Sequence, residues 1–407
     1  MSSKPLQALL ALAVLALCGC GSAGRVRVFV TPSRSLIDEP LHIRVVGLGR
    51  GELMAIRLQA VDANGERWRS SARFRADRRG RLALDRDAPV SASYRGIWGA
   101  GLLTSLVRSA GGGMPFFWPR TGTTTLRFDA VAGGRTIASD EVRRGLPEVK
   151  SRALSIADDG FYGRFFSPPG GRARGAPVLI FGGSEGGLSF RLVPALLAER
   201  GHPTLSLAYF GAPGLPTNLK RIPLEYFAGA LRWLRRQTKE SSPRVAVIGV
   251  SRGSEAAQLL GVHYPQLVGA VVAAVPSNSA LCDAAACDAP AWTFRGRPIP
   301  YTRQMDFTQP TDNPAAVIPV ERIDGRMLLV CGGKDLVWRS CAYLRAIEAR
   351  RKRFERASGD VVFAYPQAGH SVGEFLPYIP GAGRLAPADE RAREDLWPQV
   401  VSFLARG

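Results

Sequence analysis

The alternation of apolar and polar residues divides the chain into two parts near residue 150. In the first part, short runs alternate with a period of two, and Gly, Asp and Asn residues separate them. This pattern is typical of strands that bury one face in an antiparallel sandwich. The runs lie at residues 26–30, 41–46, 54–61, 68–74, 124–131 and 136–142. We therefore predict a β-sandwich domain over residues 25–150, with an irregular loop at 94–117 that is long enough to touch the second part.

Continuous apolar runs replace this alternation after residue 150. Runs without polar interruption are typical of strands buried on both faces of a sheet. They lie at residues 178–181, 204–208, 245–248, 270–274 and 327–330, and helical patterns lie at 192–200, 224–234 and 254–263. Strands that alternate with helices predict an α/β fold with a doubly wound, mostly parallel sheet over residues 151–407. The turn-rich stretch at 283–314 is long enough to form a cap or lid.

The composition is that of a compact globular protein. Hydrophobic residues make up 46% and charged residues 22% of the 407 positions, which argues against disorder and against several membrane spans. The net charge of +20 comes mostly from arginines scattered along the chain, with no basic face and no reading module, so we predict no nucleic-acid partner. The charge either favours anionic lipids and acidic substrates through its long-range field or is a compositional bias without a function.

The N-terminal segment has the pattern of a signal peptide over residues 1–20. Lys4 precedes an apolar stretch at 6–17 that is too short to cross a bilayer as a helix. The sequence Leu-Cys-Gly-Cys at 17–20 resembles a bacterial lipobox, which makes Cys20 the lipidated N-terminus of an exported lipoprotein. A lipid anchor would hold the protein at a membrane of the cell envelope, periplasmic or at the outer membrane face. The alternative is an ordinary secretory peptide that is cleaved nearby.

The remaining cysteines are even in number, as expected for disulfides in an oxidising compartment. Local pairing gives the simplest connectivity, although other pairings stay open. The four residues are Cys282, Cys287, Cys331 and Cys341. No histidine stands at metal-binding spacing from another histidine or from a cysteine pair, so we predict neither a metal site nor a cofactor.

A Gly-Val-Ser-Arg-Gly motif at residues 249–253 joins the apolar run at 245–248 to the helical pattern that follows. Such a sharp turn needs glycines around the nucleophile, because a Cβ at Gly249 or Gly253 would collide with neighbouring backbone. The turn lifts the hydroxyl of the central serine above the sheet. We therefore predict Ser251 as a nucleophile, and the alternative is a plain glycine-rich turn.

The predicted oxyanion hole consists of two backbone N–H groups. The N–H of Arg252 lies at the start of the helix after the nucleophile, where the positive end of the helix dipole favours an oxyanion. The second donor is Ser184 or Glu185 in the glycine-rich stretch at 182–187. The alternative is that residues 182–187 form an ordinary strand-to-helix turn, which would also be rich in glycine.

The candidate base is His370, which follows an apolar run at 361–365 and is expected on a loop at the carboxyl edge of the sheet. The other histidines fit this position poorly because they lie in the sandwich, before a strand or at a helix end. They are His42, His202 and His263.

The candidate acid is Asp335, which follows the run at 327–330 after a short turn. The chain order Ser251, Asp335, His370 is the order of nucleophile, acid and base in α/β-hydrolases. The acid would hold the imidazole in its productive tautomer. Asp283 and Asp288 follow an earlier strand and remain alternatives, although both lie inside the predicted lid.

Several blocks around these residues resemble the acyl-CoA thioesterase and bile acid-CoA:amino acid N-acyltransferase family. The similar blocks lie at residues 182–188, 207–210, 215–216, 222–227, 249–255 and 365–370, and a weaker one at 96–103. The resemblance implies an immunoglobulin-like sandwich followed by an α/β-hydrolase domain. Transferases of this family use cysteine as nucleophile, whereas its thioesterases use serine. The resemblance therefore implies that Ser251 favours hydrolysis of an acyl thioester through an acyl-enzyme.

The predicted export departs from this family pattern, because an enzyme outside the cytoplasmic membrane would meet little CoA. The substrate could then be another ester or a lipid, as for an exported carboxylesterase. A third hypothesis is a surface binding lipoprotein that keeps the hydrolase fold without catalysis.

Overall fold

The computed structural model describes residues 25–238 and 244–406. The predicted signal peptide and Cys20 therefore lie outside the described residues. Within the described ranges, no helix is long and apolar enough to cross a membrane.

Residues 27–145 form two mostly antiparallel sheets. A three-stranded sheet has the order β1-β3-β6, and a six-stranded sheet has the order β2-β9-β8-β4-β5-β7. The elements are β1 (Arg27–Thr31), β2 (Arg34–Leu36), β3 (His42–Val46), β4 (Leu53–Val61), β5 (Arg67–Arg75), β6 (Leu82–Ala83), α1 (Gly101–Thr104), β7 (Val107–Arg108), β8 (Thr123–Ala132) and β9 (Arg135–Gly145). Buried residues of both sheets belong to one apolar cluster, as in a sandwich. The immunoglobulin-like topology stays a prediction.

The period of two in the sequence is the cause of this arrangement. Along β5, every second side chain is buried, so Trp68 and Phe74 enter the core while the arginines between them face solvent. Each large apolar side chain buried in this way contributes about 1.5 to 3 kcal/mol to the free energy of unfolding.

The second part is built on one eight-stranded sheet with the order β10-β11-β13-β12-β15-β16-β19-β20. Its strands are β10 (Ser151–Leu154), β11 (Tyr162–Phe166), β12 (Val178–Phe181), β13 (Thr204–Ala208), β15 (Val245–Val250), β16 (Val268–Ala274), β19 (Arg326–Gly332) and β20 (Val361–Tyr365). All neighbouring pairs from β13 to β20 are parallel, and β10 and β11 pair antiparallel at one edge. This confirms the predicted doubly wound α/β-hydrolase sheet, whose antiparallel edge hairpin was not predicted.

Helices cover both faces of this sheet. They are α2 (Ile156–Asp159), α3 (Val193–Glu199), α4 (Leu224–Arg236), α5 (Arg252–His263), α6 (Ser340–Arg353), α7 (Ala382–Leu385) and α8 (Pro387–Ala405). A small sheet of β14 (Ile222–Pro223), β17 (Trp292–Phe294) and β18 (Arg297–Pro298) lies in the stretch predicted as a lid and in the entry to α4. Whether this stretch closes over the site stays a prediction.

Alternate residues of one strand belong to two separate cores. On β12, Ile180 packs in the cluster that also contains the sandwich core, whereas Leu179 packs in the cluster on the opposite face with α4 and α5. Both faces are therefore dry, which explains why β12 is apolar without interruption.

The sandwich packs on the second part of the chain through α8. The indole N–H of Trp397 donates to Asp38 at 2.7 Å, and the indole N–H of Trp98 donates to Glu394 at 2.6 Å. The guanidinium of Arg391 lies 4.5 Å from the centroid of the Trp98 ring. Trp98 belongs to the loop at 94–117, so that loop does reach the second part.

Candidate active site

Ser251 lies on the turn between β15 and α5 in a strained backbone conformation. Its φ and ψ are 54° and −123°, a region that costs a residue other than glycine roughly 1 to 3 kcal/mol. The turn allows no side chain at its flanking glycines, because a Cβ on Gly249 would lie 2.2 Å from the carbonyl oxygen of Gly253. A Cβ on Gly253 would lie 2.1 Å from the carbonyl oxygen of Gly182. Close backbone packing thus excludes a side chain at both positions, as predicted from the motif.

His370 and Asp335 are hydrogen-bonded to each other. The distance from His370 Nδ1 to Asp335 Oδ2 is 2.8 Å, and Asp335 also accepts the N–H of Val337 at 2.9 Å. Burial opposes ionisation of Asp335, but the bonds from His370 and Val337 outweigh it and lower the pKa of the carboxyl group. Because a carboxylate only accepts, Nδ1 carries the proton, and Nε2 is left as an acceptor.

The turn that carries His370 packs against the strand ends beside Ser251. A Cβ on Gly373, in the 3-10 turn His370–Glu374, would lie 2.9 Å from a methyl group of Val250. The ring of Trp338 lies 5.7 Å from the imidazole, edge to face, and its indole N–H donates to Val275 at 3.0 Å. All three predicted residues thus lie at the carboxyl edge of the sheet, after β15, β19 and β20.

The glycine-rich stretch after β12 lies directly against the serine. A Cβ on Gly183 would lie 2.9 Å from the Cβ of Ser251. The carboxylate of Glu185 accepts the N–H of Gly183 at 3.0 Å, and the hydroxyl of Tyr209 donates to the carbonyl of Gly183 at 2.6 Å. Ser184 lies between these fixed points and is exposed. The stretch is therefore held in place beside Ser251.

The N–H of Arg252 lies in the first turn of α5, where a helix leaves its own N–H groups without intrahelical acceptors. Its side chain forms a buried ion pair with Glu255, with Arg252 Nε 2.6 Å from Glu255 Oε1. Burial raises the pKa of Glu255, and the charge of Arg252 opposes this shift. Arg252 also donates to the carbonyl of Cys282 at 2.8 Å, and the indole of Trp292 donates to Glu255 at 2.8 Å. This pair ties the stretch predicted as a lid to α5, the helix that follows Ser251.

Both local disulfides are present. Cys282 pairs with Cys287 and Cys331 pairs with Cys341, with Cα–Cα distances of 4.8 and 5.1 Å. The second bond joins the end of β19 to the first turn of α6 and encloses the loop that carries Asp335.

The two alternative acids have other partners. Asp283 accepts four backbone N–H groups of its own loop, and these bonds outweigh burial and lower its pKa. Asp288 pairs with Lys220 at 2.6 Å. In the described part of the chain, the carboxylate bonded to His370 is that of Asp335.

The other histidines lie away from the Ser251 turn and have structural partners. His202 is buried and bonds the carbonyl of Ala176 at 2.9 Å, and burial lowers its pKa. The ring of His263 lies 4.1 Å from that of Phe294, and His42 pairs with Asp85. Across residues 25–238 and 244–406, no group of three His, Cys, Asp or Glu side chains is placed to hold a metal ion.

Sequence reasoning missed three side chains that shape this site: Tyr209, Glu255 and Trp338. A signal existed for Glu255, because an acidic residue stands in an otherwise buried helix three positions after an arginine. For Tyr209 and Trp338 no periodicity could show which distant backbone groups they reach.

Two family models match the chain. One, described as "BAAT / Acyl-CoA thioester hydrolase C terminal", matches residues 222–406. The other, described as "Acyl-CoA thioester hydrolase/BAAT N-terminal region", matches residues 38–149.

Curated relatives match over most of their length. Acyl-coenzyme A thioesterase 1 of Mus musculus is 28% identical over 91% of this chain and 94% of its own. Acyl-coenzyme A amino acid N-acyltransferase 2 of Mus musculus is 26% identical over 94% of this chain and 97% of its own. Among solved structures, an esterase from Pyrococcus furiosus is 16% identical, with a TM-score of 0.41, over 64% of this chain and 92% of that chain. Because both family models match in chain order, this protein belongs to the acyl-CoA thioesterase and bile acid-CoA:amino acid N-acyltransferase family.

Proposed function

We propose that this protein is a serine hydrolase that cleaves acyl thioesters through Ser251, His370 and Asp335. The observation that carries the proposal is the 2.8 Å bond between His370 Nδ1 and Asp335, at the sheet edge where the strained Ser251 turn lies. Family membership supports an acyl-transferring hydrolase or transferase. As the family resemblance implies, serine at position 251 favours water over an amino acid as the final acceptor.

Acylation begins with attack of Ser251 Oγ on the acyl carbonyl carbon. His370 Nε2 takes the hydroxyl proton, and the carboxylate of Asp335 stabilises the imidazolium that forms. The bond from carbon to sulfur then breaks, and the thiol leaves with the proton from His370. Water attacks the acyl-enzyme with the same histidine as base, which releases the acid and restores Ser251.

The negative charge that develops on the acyl oxygen needs donors fixed in advance. We assign these donors to the N–H of Arg252, at the start of α5, and to an N–H of Ser184 or Glu185, in the stretch whose Gly183 lies against Ser251. Removing one such donor from a hydrolase costs about 10² to 10³-fold in kcat. A fixed loop matters because donors that reorient during the reaction lose this advantage.

The nucleophile is tested with a fluorophosphonate probe. We expect the wild-type protein to be labelled and Ser251→Ala to stay unlabelled, with slow labelling of His370→Ala. Intact-mass spectrometry measures each. Equal labelling of wild type and Ser251→Ala would reject Ser251 as the nucleophile.

The leaving group is the second part of the proposal. The names of the relatives support a CoA thioester, whereas the predicted export favours another ester or a lipid. We expect kcat/KM for an acyl-CoA to exceed that for a p-nitrophenyl ester of the same acyl chain. Turnover of short esters alone would reject the thioesterase assignment and support a carboxylesterase.

We also propose that the chain is exported and anchored through a lipid on Cys20. The two disulfides support an oxidising compartment. In the native host, Cys20→Ser is expected to shift the protein from the membrane fraction to the soluble fraction. Unchanged membrane retention would contradict the anchor.

A further inference from the structure

A single buried carboxylate binds the residues on both sides of His370. The N–H of Gly369 donates to Asp389 Oδ1, and the hydroxyl of Ser371 donates to Asp389 Oδ2. Asp389 is only 5% exposed, so these bonds compete with little water. The residue before the candidate base and the residue after it are therefore clamped by the same side chain.

The position of Asp389 on α8 suits a carboxylate. It lies in the first turn of the helix, where the helix dipole favours negative charge. One turn further on, Arg393 Nη1 donates to the carbonyl of Ser371 at 3.2 Å and to Glu374 at 2.7 Å. Two successive turns of α8 thus hold the segment from Gly369 to Glu374.

The helix that carries this clamp is itself fixed from the other side. Trp397 of α8 donates to Asp38 of the sandwich at 2.7 Å, and Glu394 accepts from Trp98. Trp397 is 2% exposed and belongs to the core that the sandwich and the large sheet share. The helix that carries Asp389 is therefore fixed by contacts with both domains.

We propose that Asp389 is a positioning residue for His370, a conclusion that rests on the proposed function of the site. Asp389 acts through the backbone N–H of Gly369 and the hydroxyl of Ser371, and it orients the imidazole so that Nδ1 faces Asp335 and Nε2 faces the nucleophile turn. A shift of about 1 Å in a reacting group costs about 10²-fold in rate. Loss of both clamp bonds at once is expected to produce a loss of that order.

Two substitutions at one position separate hydrogen bonding from charge. Asp389→Ala removes both acceptors and is expected to lower kcat about 10²-fold, with KM within about twofold of wild type. Asp389→Asn keeps an acceptor for the N–H of Gly369 and offers an N–H to the hydroxyl of Ser371. We expect it to recover kcat to within about fivefold and to leave the shape of the pH profile unchanged.

Ser371→Ala provides an independent measure. It removes one of the two bonds, so its loss is expected to be smaller than that of Asp389→Ala, and it should add little in the Asp389→Ala background. The control is Asp395→Asn on the same helix, which accepts from the Tyr365 hydroxyl at 2.7 Å and is expected to keep wild-type kcat.

A readout without turnover separates this proposal from the proposed function. The proton between His370 Nδ1 and Asp335 is followed by NMR in folded protein at low temperature. We expect its resonance in wild type and Asp389→Asn and its loss in Asp389→Ala. Wild-type kcat or an unchanged resonance in Asp389→Ala would overturn the positioning proposal. So would an Asp389→Asn variant as inactive as Asp389→Ala. Absence of turnover and probe labelling in wild type would instead reject the function.

Discussion

The ionisation of Asp335 decides which nitrogen of His370 accepts a proton. The pKa of Asp335 is lowered, so its carboxylate stays charged to a lower pH than an ordinary aspartate and keeps the ring proton of His370 on Nδ1. Acidification through neutral pH is therefore not expected to discharge it. An amide at this position would donate to Nδ1 and move the ring proton to Nε2, where the proposed nucleophile, Ser251, needs an acceptor.

We predict that Asp335→Asn lowers kcat by a factor on the order of 10³ to 10⁴ while the fold is retained. Steady-state kinetics and the rate of fluorophosphonate labelling measure the loss. Asp288→Asn, which removes an exposed pair with Lys220, is the matched control and should keep wild-type kcat. Near wild-type turnover by Asp335→Asn would exclude it as the acid.

At the residue scale, the sequence predicted those candidate site residues that can be recognised from the pattern directly before and after them. Ser251 stands between glycines, and Asp335 and His370 follow apolar runs. Asp389 could not be predicted in this way, because its partners lie in a different element and are brought close only by the packing of α8. Local patterns report what precedes and follows a residue, and they carry no information on such contacts.

At the scale of elements, the disulfide Cys331–Cys341 constrains the loop between β19 and α6. Asp335, which bonds the imidazole, and Trp338, whose ring lies beside it, are both in this loop. The bond removes conformations of the unfolded chain, and loops of this length are stabilised by about 2 to 3 kcal/mol.

We predict that replacing Cys331 and Cys341 by alanine lowers the melting temperature and also lowers kcat about tenfold, because the acid loop loses its fixed ends. Thermal melts and kinetics at a temperature where the variant is fully folded separate the two effects. The comparison variant replaces Cys282 and Cys287 by alanine. We expect this variant to lose more stability than kcat. Normal kcat in the variant without Cys331–Cys341 would show that this disulfide contributes to stability alone.

Elements were predicted where several residues repeat one pattern. The bounds of β12, β13 and β20 agree with the apolar runs of the sequence. The strands β10 and β11 were missed because four or five residues with arginines among them show no period. For α8 a signal was present, since its buried residues Leu396, Trp397, Val400, Phe403 and Leu404 repeat at helical spacing.

At the scale of the molecule, the domain interface contains an acid whose charge opposes folding. Burial and the neighbouring Glu390 raise the pKa of Glu394 to about 7, although Trp98 and Arg391 oppose the shift. The folded state therefore binds more protons than the unfolded state between pH 4.5 and about 7. Stability from this group is present at low pH and is lost as pH rises through that window.

We predict that Glu394→Gln flattens this pH dependence. The variant should exceed wild type at pH 8 by up to about 3 kcal/mol and match it near pH 4, below the pKa of the unfolded carboxyl group. Urea denaturation at both pH values measures the difference, with Glu348→Gln at an exposed pair with Lys352 as control. An unchanged slope in Glu394→Gln would show that the carboxyl group is ionised at the interface in the folded state.

The two-part division and the reach of the loop at 94–117 were visible in the sequence, but the residue pairs across the interface were not. Asp38 and Trp397 are separated by 359 positions, and each stands in a segment with an ordinary pattern of its own. Only the shared core between the sandwich and the large sheet brings them together.

That separation has a consequence for the order of folding. Contacts between segments far apart in sequence close late, because the chain must lose the most entropy to form them. Since α8 carries the clamp on the histidine loop, we expect a chain with a formed sheet and an undocked α8 to present Ser251 without an oriented base. Such a partly folded chain would be unreactive, so the proposed hydrolysis would begin only when the first and last parts of the chain have met.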